Sequence, residues 1–89
     1  MNRIIIDIQN PYAIAVYSDI EGCYGLDCPD DVFNCIGEAV SYIKNHLLVD
    51  EPKAAISIVN SFEETRPESY RNKFHWLPEA IQEMEEELV

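Results

Sequence analysis

Basic residues are scarce in this chain. Six Lys and Arg stand against seventeen Asp and Glu among 89 residues, a formal net charge of −11. A field of that sign repels DNA, RNA and anionic membrane surfaces and attracts basic protein surfaces, so no direct binding of nucleic acid or membrane is expected. No stretch approaches the roughly 18 apolar residues of a membrane span. The opening Met-Asn-Arg-Ile reads as the start of a strand rather than as a signal peptide, which leads to an expected cytoplasmic location. Glycine is also rare. Gly22, Gly25 and Gly37 form neither a phosphate-binding loop nor a dinucleotide fingerprint. Cysteine occurs three times, at Cys23, Cys28 and Cys35. An odd number suits no disulfide framework, and the spacings of four and six intervening residues match no common zinc pattern. Reduced thiols are the expectation, with a Cys23–Cys28 pairing left open. His46 and His75 are general bases by residue type alone, and neither has a paired partner nearby in the sequence. The chain is therefore expected to lack catalytic residues, cofactor and metal.

What remains is a foldable chain. Hydrophobic residues make up 47%, too many for disorder, and the length suits one domain with one modest core. Arg3 to Gln9 alternates, with Ile4, Ile6 and Ile8 on one face. Asn10-Pro11 signals a turn, and Tyr12 to Asp19 alternates again, which predicts an antiparallel hairpin. Cys23 to Leu26 is a short candidate third strand. Pro29, Asp30 and Asp31 read as the first turn of a helix over 30–48, where acids suit the dipole. Val32, Ile36, Ala39 or Val40, Ile43 and Leu47 supply its apolar stripe. Gly37 costs about 1 kcal/mol mid-helix, a cost explained here by close packing on a sheet. Residues 54–60 read as a buried strand. The expected fold is α+β: a small antiparallel-rich sheet in the order β-β-β-α-β, one long helix packed on it, and a second acidic helix at the C-terminus. Residues 1–60 form the core of a single domain, and 61–89 a polar connection followed by that helix, opened by Pro78 and carrying Leu77, Ile81, Met84 and Leu88.

Two acidic clusters are the candidate sites. Asp19, Glu21, Asp27, Asp30 and Asp31 fall within thirteen residues that contain no base. The last sixteen residues hold five glutamates, among them Glu79, Glu83, Glu86 and Glu87, and no Lys or Arg. Carboxylates on a rigid surface imitate the regular negative charges of a phosphate backbone and occupy a basic groove; as a plain reading, the same acids are a solvated surface. Trp76, with Phe74 and Tyr70, is either packing for the tail or an aromatic anchor for a partner. Asp7 and Asp19 are carboxylates of the kind that seat catalytic metals, although no full set of partners is visible.

Asp19-Ile20-Glu21-Gly22-Cys23 is similar to the Asp-Leu-Pro-Gly-Cys turn of HicB-like antitoxins. The following helix, with Glu38-Ala39-Val40 and Leu47-Leu48, looks like the helix after that turn. The resemblance covers residues 1–60 at most. It implies a truncated ribonuclease H-like fold and an acidic antitoxin that covers a small basic toxin acting on RNA. Glu21 stands where the family usually has proline, and the tail carries no recognisable DNA-binding domain. The expected function is stoichiometric inhibition of a basic nucleic-acid-binding partner, such as a nuclease, an effector complex or a toxin. Phage-encoded anti-CRISPR and anti-restriction proteins, which act in the host cytoplasm, are one form of it and antitoxins another. The alternatives are an adaptor subunit assembling through Trp76, with a homodimer compatible, and a metal-dependent hydrolase.

Overall fold

The computed structural model of the protein describes residues 2–20 and 25–88. Strands β1 (Arg3–Asn10), β2 (Ala13–Ser18), β3 (Asp31–Phe33) and β4 (Ala55–Val59) form one mixed sheet in the order β3-β2-β1-β4. β1 and β2 pair antiparallel, with Ile6 opposite Val16; β1 and β4 pair parallel, with Ile6 beside Ile58. The hairpin turn is fixed by the Asn10 side-chain oxygen, which accepts the Tyr12 N–H at 2.8 Å. The ladder shifts register between Ile8 and Asn10, which lets the strand reach the Pro11 turn.

One face of the sheet is the floor of the core. Ile4, Ile6, Ile8, Ile14 and Val16 are fully buried there, and Ile56 and Ile58 pack against them. The other face carries Ile5, Asp7 and Tyr17, each half-buried. Helix α1 (Ile36–Tyr42) continues without a break into a π-helical segment (Ile43–Leu47). It places Ala39, Val40, Ile43 and Leu47 over the sheet. Helices α2 (Ser61–Thr65), α3 (Pro67–Asn72) and α4 (Leu77–Leu88) follow. They add Phe62, Tyr70, Leu77, Met84 and Leu88 to the same core. The α+β class and the C-terminal acidic helix are thus as the sequence predicts.

Four expectations need correction. The helix begins at Ile36, not residue 30, because Asp31–Phe33 is a strand paired with Ile14–Val16. β2 is buried along most of its length, so its outer N–H and C=O groups need partners. Asp30 N–H meets that demand by donating to the Val16 carbonyl at 2.7 Å. Sheet pairing therefore outweighs helix capping at Pro29-Asp30-Asp31, and Val32 turns to the outer face, 46% exposed. The third strand expected at Cys23 to Leu26 falls partly outside the described residues, and Gly25 makes only a single bridge to Ser18. Gly37 does not touch the sheet: a Cβ there would meet only the Cys35 sulfur, at 3.9 Å. The connection after Asn60 is helical. Asn60 caps α2 by accepting the Glu63 N–H at 3.0 Å, and Pro67 occupies the first turn of α3.

Candidate functional site

The acidic loop cluster disperses on folding. Asp19 is a hairpin tie. Its carboxylate accepts the Arg3 N–H, its own N–H donates to the Arg3 carbonyl, and the Arg3 guanidinium lies 3.6 Å away. The Arg3 backbone N–H, helped by the guanidinium charge, holds the Asp19 carboxyl below the usual range. Asp30 is tied inward as well. It accepts from the buried Ser18 hydroxyl at 2.6 Å and from Tyr42 at 3.3 Å, while its Oδ1 is buried without a hydrogen-bond partner. Asp31 folds onto the Val32 N–H at 2.8 Å. Asp27 is exposed, on the rim of a shallow depression with Ile5, Asp7, Tyr17, Leu26 and Val59 on the outer sheet face. Glu21 lies outside the described residues.

Asp7 and Asp19 do not converge. Asp19 bonds to Arg3, four residues or about 13 Å along β1 from Asp7. Asp7 instead accepts the Ser61 hydroxyl at 2.6 Å, which joins β1 to the start of α2. Among the described residues no three His, Cys, Asp or Glu side chains gather to hold a metal. Cys28 and Cys35 are exposed free thiols.

The second cluster survives folding as a surface. Glu79, Glu83, Glu85, Glu86 and Glu87 are all exposed on α4, which is held from below by Leu77, Met84 and Leu88. Its charges oppose its own stability. Glu79, Glu83 and Glu87 repeat at four-residue spacing, each such like-charge pair costing about 0.2–0.5 kcal/mol. Glu85 to Glu87 sit at the negative end of the helix dipole, and the last turn has no base. One acid on the helix is neutralised in an ion pair: Glu87 accepts from Lys44 at 2.9 Å.

Beside this face runs a groove of about 560 Å³ between α1 and α4. Ile36, Val40, Ala80 and Met84 give it an apolar lining, Glu83 and the Lys44–Glu87 ion pair a charged wall, and Gly37 an opening where a side chain would stand. The groove escaped the sequence reading because it depends on how two helices cross. Its one legible trace was the Gly37 inside a helical pattern.

A third feature is an aromatic chain that climbs from core to surface. Buried Phe62 meets Tyr70 and Phe74 edge-on, with centroids at 6.1 and 5.6 Å. Phe74 in turn meets Tyr12 and Trp76, each at 6.2 Å. Burial pushes the Tyr70 phenol upward, and the Glu63 charge adds to the shift. Trp76 is 46% and Tyr12 66% exposed. Tyr12 was missed as a site residue because the turn hides its neighbour: Phe74 is distant in sequence.

No helix among the described residues is long and apolar enough to cross a membrane. Comparison with family models, with curated proteins and with solved structures finds no match to this chain.

Proposed function

We propose that this protein acts by binding, docking its acidic α4 face and the adjoining groove on a basic, nucleic-acid-binding surface of a partner protein and blocking it. The observation that carries the reading is the placement of the α4 glutamates: all five stand exposed, Glu79, Glu83 and Glu87 repel one another along one side, and Glu85 to Glu87 crowd the negative end of the helix dipole. A basic partner relieves that repulsion on docking, and the apolar groove floor supplies contact area that charge alone does not. The partner is a nuclease, an effector complex or a toxin, met in the cytoplasm. Inhibitors of phage-restricting systems and antitoxins both fit this mechanism; the β-β-β-α-β order of the elements supports the antitoxin form. Asp27, on the outer face of the sheet, and Asp31, on its edge strand, contribute long-range attraction. Asp19 and Asp30 serve the fold instead.

The test is competition. A partner captured from a bacterial lysate at low salt is loaded with labelled nucleic acid, and this protein is titrated in. Displacement that weakens steeply with salt supports the reading. A ternary complex with no displacement and no salt dependence refutes it. The half-exposed Trp76 and Tyr12 support a second reading, an adaptor that assembles through its aromatic corner. In that case association is insensitive to salt and is lost with Trp76→Ala.

A further inference from the structure

The two edges of the sheet are unequal. β3 is three residues long and carries the charged Asp31. β4 is five residues long, reads Ala-Ile-Ser-Ile-Val, and holds no charge, proline or bulge. Such an edge is a template for pairing with another chain, and proteins ordinarily blunt it with one of those devices. The register fixes which groups are free. Ala55 N–H donates to the Asn2 carbonyl, so Ala55, Ser57 and Val59 turn their backbone groups toward β1. Ile56 and Ile58 turn theirs outward, and no other described element runs along that side.

We infer that the outer edge of β4 is a homodimer interface, in which two copies of Ala55–Val59 pair antiparallel about Ser57. The segment is nearly symmetric about that residue, and this suits a second copy better than an unrelated strand. Ile56 of one copy stands opposite Ile58 of the other, and both are residues whose side chains are only half-buried on the core face. The free groups of those isoleucines then form roughly four inter-strand hydrogen bonds. The two serines face each other as a non-hydrogen-bonded pair, with Cα atoms about 4.5 Å apart. Charge opposes the contact mildly: in this register Lys53 stands level with Ser61 of the other copy, while Asp50 and Glu51 stand level with Glu64 and Glu63. The contact is small and the chain carries −11, so dimerisation is weak and strengthens as salt screens the repulsion. That sign is opposite to the salt response of the proposed partner docking, which involves a different surface.

The test uses cross-linking and sedimentation. In a chain with Cys23→Ser, Cys28→Ser and Cys35→Ser, Ser57→Cys should oxidise to a covalent dimer, since about 4.5 Å between Cα atoms is within disulfide reach. Val59→Cys should cross-link at least about tenfold more slowly, because antiparallel pairing sets its two copies about 13 Å apart along the strands. The native chain should sediment as a concentration-dependent dimer between about 10 and 500 µM. Ser57→Lys sets like charges face to face and should remain monomeric with unchanged melting. A native chain that stays monomeric throughout overturns the inference. So does a dimer indifferent to Ser57→Lys, which assigns assembly to another face, or equal cross-linking at both positions.

Discussion

Gly37 gives the sharpest test of how α1 is packed. It is the second residue of the helix, its φ is not positive, and an added Cβ would touch only the Cys35 sulfur at 3.9 Å. Gly37→Ala therefore removes backbone freedom from the unfolded chain and adds no clash. The expected gain is about 0.5–1 kcal/mol. Unfolding entropy of about 2.1 cal/mol/K per residue over this length gives about 0.19 kcal/mol/K, so the melting temperature should rise by about 3–5 °C. Gly37→Leu should be at least as stable as the native chain, its side chain entering the groove beside Ala80 and Met84. It should also fill the groove and weaken partner capture. Thermal melts followed by circular dichroism check the first part, and competition binding the second. A loss of more than about 1 kcal/mol in both variants would mean overpacking, and the groove geometry would then be wrong.

Three further outcomes are expected. Ser18→Ala takes the short hydrogen bond from Asp30, whose other oxygen is already buried without a partner. It should cost about 1–3 kcal/mol in urea unfolding, and a loss under about 0.5 kcal/mol would show the carboxylate to be solvated. Replacing Glu85 and Glu86 with Gln should raise stability by a few tenths of a kcal/mol each at low salt while slowing partner association; unchanged on-rates would remove α4 from the interface. Asp19 is held below the usual carboxyl range chiefly by the Arg3 N–H. Its stabilising effect is complete above the unfolded value of about 3.9 and is lost as pH falls through the lower folded value. Asp19→Asn should therefore flatten the acid limb of the stability profile, and an unaltered limb in urea melts would contradict the tie.

Elements whose signal lies in their own residues were legible in the sequence. Alternation at Ile4, Ile6, Ile8, Ile14 and Val16 marked two strands and their inner face. The four-three-four spacing of Leu77, Ile81, Met84 and Leu88 marked α4. The segment around Asp31 was misread because capping chemistry and edge pairing compete there, and the winner depends on β2, which is distant in sequence. α2 and α3 carry plain start signals in Asn60 with Glu63 and in Pro67. Their helices are too short and too charged to show periodicity. Of the candidate site, the α4 acids were readable as a patch. The diversion of Asp19 and Asp30 into the fold was not, since each depends on a partner from another element.

The central position of β1 also sets the order in which the molecule can be built. Its bonds to β2 are local and can form as soon as the hairpin is made. Its bonds to β4 join residues about fifty positions apart, so they wait until the chain through Val59 has been synthesised. During that interval an isoleucine-rich strand stands with one side unpaired, the condition that favours misassociation of nascent chains. The Asp7–Ser61 bond, made from just beyond the end of β4, ties that same side of β1 to the start of α2.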